Sequence, residues 1–341
     1  MAVTSLDPQE TNVDSPMTST EGVAETPLSR CVAFRHSGWR HSRDLIRLAL
    51  EATGTSAKRL SRWDQCGENA WVLRHPEQAN RYRIAASYCH DRFCKPCSCA
   101  RSNLAARNLR FRLGGAQHRF VTLTLQSTNQ ALCSLVDKLY RSFRRLRAQT
   151  IWKQKVDGGA AFLEIRWNEN RQRWHPHLHM ILEGRFLPQD LLSDAWKKAT
   201  QGSSIVDIRK IANAETAARH VTKYASKPLS NTFLNRPDKL QEAIVALRGT
   251  RLALTFGTWR GFRLFQQGPR EEWIAVAPLV ELLDSAAEGD ESAIAIMRSF
   301  VCKQTTHLPP TRGHPSKSGE PRSVSPFAPI APPTVPAAGA N

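Results

Sequence analysis

Three histidines alternate with other residues in Trp174-His175-Pro176-His177-Leu178-His179-Met180-Ile181-Leu182. Side chains two residues apart on a β-strand share a face, so His175, His177 and His179 point one way and Leu178, Met180 and Leu182 the other. Two imidazoles placed like this can converge on one metal ion and leave coordination positions open. A metal needs those open positions to polarise a phosphate oxygen. The third ligand should be a carboxylate on an adjacent strand. Glu164, in Phe162-Leu163-Glu164-Ile165, meets that need if the two segments form a hairpin, because it then shares the histidine face. His175 is the rival third ligand. A solvated polar face would explain one histidine, but it explains three in five residues beside a Leu-Met-Leu row less well.

A second group of reactive residues lies in Ala217-Ala218-Arg219-His220-Val221-Thr222-Lys223-Tyr224-Ala225-Ser226-Lys227-Pro228. The pattern predicts a helix stopped by Pro228, with His220, Tyr224 and Lys227 on one face. A tyrosine there could attack a phosphodiester, giving a covalent 5′-phosphotyrosine and a free 3′-hydroxyl. Its phenol ordinarily ionises near pH ~10, so it needs a metal or a nearby base. Lys227 could offset charge on the phosphate in the transition state. Taken alone, a tyrosine on an amphipathic helix is more often a packing residue.

The third group is Cys89-x₄-Cys94-x₂-Cys97, with Cys66 far enough upstream to close a loop on it. Four thiolates suit a tetrahedral structural Zn²⁺, and Cys99 is a rival for one of the positions. Cys31, Cys133 and Cys302 read as plain buried or tail thiols. Zinc would hold the local fold together and present Arg92, Lys95 and Arg101 to nucleic acid.

Regular elements must position these groups, and the hydrophobic pattern predicts them. Helices are expected over 44–60, 102–112, 132–146, 187–199, 214–226 and 238–247, with two more within 277–301. Strands are expected over 120–126, 160–167, 175–182 and 204–208, with a hairpin connection at 168–173. This order fits an α+β fold, an antiparallel sheet with helices packed on one face. Residues 1–28 and 304–341 are polar or proline-rich and read as disordered tails.

Composition narrows the partners. In 341 residues there are 48 Lys and Arg against 30 acids, a formal charge of +18, which attracts polyanions. No apolar run is long enough to span a bilayer, and the start lacks the basic and apolar regions of an export signal. A cytoplasmic nucleic-acid protein with no membrane association is expected, with its cysteines binding metal and not forming disulfides. Residues 101–155 hold twelve Lys and Arg and one acid, Asp137, and Arg141, Arg144, Arg145 and Arg147 are candidate phosphate contacts.

The motifs taken in order resemble those of the HUH-type, single-tyrosine initiators of plasmid rolling-circle replication. Phe120-Val121-Thr122-Leu123-Thr124-Leu125 resembles the family's first, structural motif. His175-Pro176-His177-Leu178-His179 is similar to its metal motif, and Lys223-Tyr224-Ala225-Ser226-Lys227 to its tyrosine motif. The resemblance covers roughly residues 60 to 265. It implies an HUH endonuclease fold and nicking of single-stranded or cruciform origin DNA by Tyr224. It also implies Mg²⁺ or Mn²⁺ at His177, His179 and the third ligand, and host helicase and polymerase as partners. A metal-binding region ahead of the nuclease agrees with Cys66, Cys89, Cys94 and Cys97. Several members place a glutamate four residues before the tyrosine, where it activates the attack that ends replication. Here that residue is His220, which is either a base in its place or a sign that termination differs.

The expected organisation is a tail at 1–28, a helical and zinc-binding region at 29–113 and the HUH nuclease domain at 114–265. C-terminal helices at 266–303 and a proline-rich tail at 304–341 follow. Two other functions fit less well: an HUH-type transposase of a mobile element, and a non-catalytic zinc-containing nucleic-acid-binding protein.

Overall fold

A computed structural model describes residues 29–113, 118–211, 213, 217–220, 232–268 and 271–305. The expected tail at 1–28, all but the first two residues of that at 304–341, Tyr224 and Lys227 lie outside the described residues, as does most of the helix expected over 214–226.

The chain begins with α1 (Arg30–Arg35), α2 (Arg40–Ala52) and α3 (Ala57–Asp64). One helix was expected over 44–60; the break falls at Gly54, whose φ of +67° is easily adopted only by glycine. Next come β1 (Trp71–Arg74), β2 (Tyr82–Ala85), α4 (Lys95–Arg112), β3 (His118–Thr124), α5 (Leu132–Ala148) and α6 (Thr150–Lys155). The central hairpin is β4 (Val156–Asn168) and β5 (Arg173–Gly184), followed by α7 (Gln189–Thr200), β6 (Val206–Lys210), α8 (Pro237–Ala246) and β7 (Ala253–Gly257). The described chain ends with β8 (Ile274–Pro278), α9 (Leu279–Ala287) and α10 (Glu291–Thr305).

Among the described residues there are two antiparallel sheets. The larger has the order β6-β3-β5-β4-β7, and the smaller β2-β1-β8. The alternation in Phe120–Leu125 sends Val121, Leu123 and Leu125 inward, where they meet Leu178, Met180 and Leu182 of β5 and Leu163 and Ile165 of β4. Helix α5 covers this layer with Leu132, Leu135, Val136, Leu139, Phe143 and Leu146. Each such side chain contributes about 2 kcal/mol when fully buried. Trp39, Ile46, Leu50, Trp63 and the four clustered cysteines belong to the same core.

The α+β class and the antiparallel pairing match expectation. The expectation of helices on one face only needs correction. Ala160, Phe162 and Ile181 on the opposite face form a second core with Leu109 and Leu113 from the end of α4 and with Ala218, Trp259 and Leu264. Among the described residues, this second core covers the half of the histidine face around Ile181. Gly257 ends β7 with φ +61°, and a Cβ there would lie 2.1 Å from the Asp157 carbonyl oxygen. The smaller sheet joins distant segments: β8 pairs with β1, and α9 and α10 pack with Val72, Ile84 and Ala86. Among the described residues, no helix is long and apolar enough to cross a membrane.

Candidate functional site

The β4–β5 hairpin sets Glu164 directly across from His177, Phe162 across from His179 and Arg166 across from His175. On the other side of β5, β3 places Thr122 opposite His179 and Thr124 opposite His177. Both threonines reach the rings they face: Thr122 Oγ1 lies 3.1 Å from His179 Nδ1, and Thr124 Oγ1 lies 3.0 Å from His177 Nδ1. Engaging each Nδ1 fixes the ring and leaves Nε2 as the atom presented to the site.

His179 Nε2 lies 2.8 Å from Glu164 Oε2, and Arg166 donates to Glu164 Oε1 at 2.9 Å. Burial pushes the Glu164 carboxyl up, but the hydrogen bonds from His179 and Arg166 outweigh it and hold the group below its ordinary value. Burial pushes His177 down to about 4, which leaves the imidazole neutral near pH ~7, the form that binds a metal. His179 and Glu164 are together a candidate pair of ligands for a divalent ion. His177 stands further off, its ring centroid 6.1 Å from that of His179. His175 is engaged elsewhere: its Nε2 lies 3.1 Å from Ser127 Oγ.

Phe120 links this group to the helix expected to carry the tyrosine. Its ring stacks on His179 at 5.8 Å and meets the edge of His220 at 4.9 Å. His220 therefore lies one aromatic ring from a candidate metal ligand. The roles of Thr122, Thr124, Arg166 and Phe120 did not emerge from the sequence. The Thr-x-Thr alternation was visible, but its alignment with the histidines depends on strand register.

The four cysteines come together more tightly. Their sulfurs all lie within 4.8 Å of one another, with Cys66 at 3.8 Å from Cys94 and 3.6 Å from Cys97, and Cys89 at 3.7 Å from Cys97. A tetrahedral zinc with bonds of about 2.3 Å separates its sulfurs by about 3.8 Å. Among the described residues, no other group of three or more His, Cys, Asp or Glu is gathered so closely. Cys99 is outside it, and Cys133 is exposed, not buried as expected.

Local structure explains the convergence. Cys66 follows α3 and Cys89 follows β2, and their flanks pair through Gly67 N–H to Ser87 O and Ser87 N–H to Glu68 O, both 2.8 Å. Cys94 caps α4 and Cys97 lies in its first turn, where the helix dipole favours thiolates. Hydrogen bonds from Cys89, Cys94 and Cys97 push the Cys66 thiol far down, while burial pushes Cys94 up. Arg35 adds positive charge, donating to Cys97 Sγ at 3.4 Å while its guanidinium stacks 4.1 Å above the Tyr88 ring.

The structure positions the basic residues singled out from the sequence, and it corrects the expectation for Arg92. Helix α5 lies on the core side of the sheet, so Arg141, Arg144, Arg145 and Arg147 are across the sheet from the histidines. Arg92 points inward and donates to the carbonyl oxygens of Leu247 at 2.8 Å and Thr250 at 2.9 Å. Lys95 is exposed.

Comparison with known proteins agrees with the ordered motifs. A family described as "Replication protein" matches residues 81–275. Curated relatives named "Protein rep" include one from Bacillus amyloliquefaciens, 27% identical over 48% of this chain and 52% of its own length. Another from a Bacillus species is 27% identical over 46% and 56%, and one from Streptococcus pneumoniae serotype 2 is 23% identical over 58% and 70%. The chain thus spans about half the length of the two Bacillus relatives. No solved structure matches the chain. The family match covers more than half of the chain and includes the histidine strand, so this protein belongs to the replication-protein family of rolling-circle plasmid initiators.

Proposed function

We propose that the protein is a metal-dependent nickase and strand transferase with an HUH-type catalytic domain, acting on single-stranded DNA at a plasmid origin. The observation that carries this reading is the contact of His179 Nε2 with Glu164 Oε2, beside His177, with a threonine on each imidazole Nδ1. His177, His179 and Glu164 would hold Mg²⁺ or Mn²⁺. When bound, that ion supplies Lewis-acid polarisation of the scissile phosphate.

In the step assigned to Tyr224, its phenol oxygen bonds to phosphorus while the bond from phosphorus to the 3′ oxygen breaks. The phenol gives up its proton and the departing 3′ oxygen takes one up, leaving a 5′-phosphotyrosine and a free 3′-hydroxyl. Lys227 would balance charge on the phosphate. His220, next to Phe120, would serve as the base for the closing attack. Arg166, half exposed and bonded to Glu164, is placed to meet a phosphate oxygen. Cys66, Cys89, Cys94 and Cys97 would hold a structural Zn²⁺.

The test is incubation with labelled origin-type single strands and Mn²⁺, followed by mass spectrometry of the trapped adduct. A covalent adduct on Tyr224 is expected, absent in Tyr224→Phe. It should fall about 100-fold or more in Glu164→Gln and His179→Ala. No adduct across a broad oligonucleotide library would overturn the proposal.

A further inference from the structure

Among the described residues, the outer edge of the larger sheet carries a basic groove that the nicking chemistry does not use. Strand β7 ends the sheet order, and beside it lies a groove of about 820 Å³ with Arg101, Arg251, Arg260, Arg263, Phe262 and Phe265 in its walls. Among the described residues, the lining contains no acidic residue. Among the described residues, none of the four guanidinium groups has a carboxylate within 4.0 Å, although the protein pairs many other arginines. Their charge is therefore available to an outside partner.

A second cleft, of about 230 Å³, shares Arg101, Arg251, Ala253 and Phe265 with the first and runs back to Cys97 and Arg92 beside the cysteine cluster. Its one acid, Asp91, is neutralised by Arg59 at 2.6 Å. Where the two clefts meet, Ala253 brings them to the histidine face of the sheet. Ala253 is the register partner of Phe162, and Phe162 that of His179.

Charge and ring chemistry together identify the occupant. A row of unpaired arginines attracts phosphates. The Arg101 guanidinium lies 4.0 Å above the Phe265 ring, making a flat surface on which an unpaired base can stack. A duplex keeps its base faces internal and has no use for such a platform. We infer that this groove holds single-stranded DNA and leads it from the cysteine cluster along the β7 edge to the histidine face. The inference extends the nicking reading, but it concerns binding alone, so the two can fail separately.

The test is fluorescence anisotropy of the full chain with a labelled oligothymidine, without divalent metal, across a salt series. The variant replaces Arg101, Arg251 and Arg263 with alanine; a second replaces all three with lysine. The alanine variant should bind at least about tenfold more weakly, and its log K against log salt slope should shrink by about 2, as expected for three lost single-strand phosphate contacts. The lysine variant should retain most of the slope but lose part of the affinity, because lysine lacks the planar group that stacks. Zinc content and thermal midpoint report folding. If the alanine variant is unstable, Arg263→Glu, at an exposed position, must show the same weakening. Wild-type affinity and slope in folded variants would overturn the groove. Equal losses for single strand and a duplex of the same length would overturn its preference for single strands.

Discussion

The cysteine cluster and the histidine–glutamate group, the two sites proposed to hold metal, are closed to different degrees. The four cysteines are buried, and their sulfurs already have the spacing of a tetrahedral site. They would provide all four ligands of a structural zinc site closed to solvent. The histidine group brings only His179 and Glu164 into contact. His177 stands apart and is partly exposed, and both imidazoles are steadied from behind by threonines. As proposed, such a site would leave room for a substrate oxygen. On the proposed reading, the first arrangement would serve stability and the second access to a reacting phosphate.

The comparison is broken most severely at the cysteines. Cys94, buried at the start of α4, belongs to the same core as Trp39, Trp63 and Phe93. Cys94→Ser should remove bound zinc and destabilise the protein by roughly 5 kcal/mol or more. Zinc analysis and thermal melting would check this, and Cys99→Ser should change neither. A strong chelator should reproduce the loss in the wild type. Equal stability with and without zinc would mean that the thiols are not a structural site.

A smaller effect would sharpen the account of the open site. Thr122→Val and Thr124→Val preserve side-chain shape and remove the oxygen that faces each Nδ1. Mn²⁺ affinity should fall about 10- to 100-fold in the double variant. The cysteine-bound zinc should stay in place, since these threonines do not touch it. Calorimetric titration of Mn²⁺ would measure the fall, and an unchanged affinity would reduce the threonines to strand residues.

Much of this contrast was readable in the chain. Strict alternation over 120–126 and 175–182 placed the inward and outward side chains correctly, because one face of each strand meets a large core. The spacing of Cys66, Cys89, Cys94 and Cys97 identified the four thiols that cluster. Strands β1, β2, β7 and β8 were missed because each has only four or five residues and no clear alternation. Phe162 was hidden in an unbroken apolar run, Ala160-Ala161-Phe162-Leu163, in which both faces are buried. Arg92 and α5 show the other limit. Composition counts charges, but only tertiary contacts reveal that Arg92 is spent on carbonyl oxygens and that the α5 arginines face away from the histidines.

The smallest expected effect separates the two sites by pH. Burial lowers His177 to about 4 in the folded protein, against about 6.5 in an unfolded chain. Between these values the unfolded chain binds the proton and the folded one does not, so stability contributed above pH ~6.5 is lost as the pH falls towards ~4. Glu164 acts in the same direction at the lower end, since its carboxyl is also held below its ordinary value. His177 keeps part of its ring in solvent, so the expected loss is about 1 to 2 kcal/mol, less than the full shift would imply. His177→Asn should flatten this part of the thermal midpoint against pH profile, measured without added divalent metal. A profile as steep in His177→Asn as in the wild type would assign the acid sensitivity to other groups, including the thiolates of the cysteine cluster.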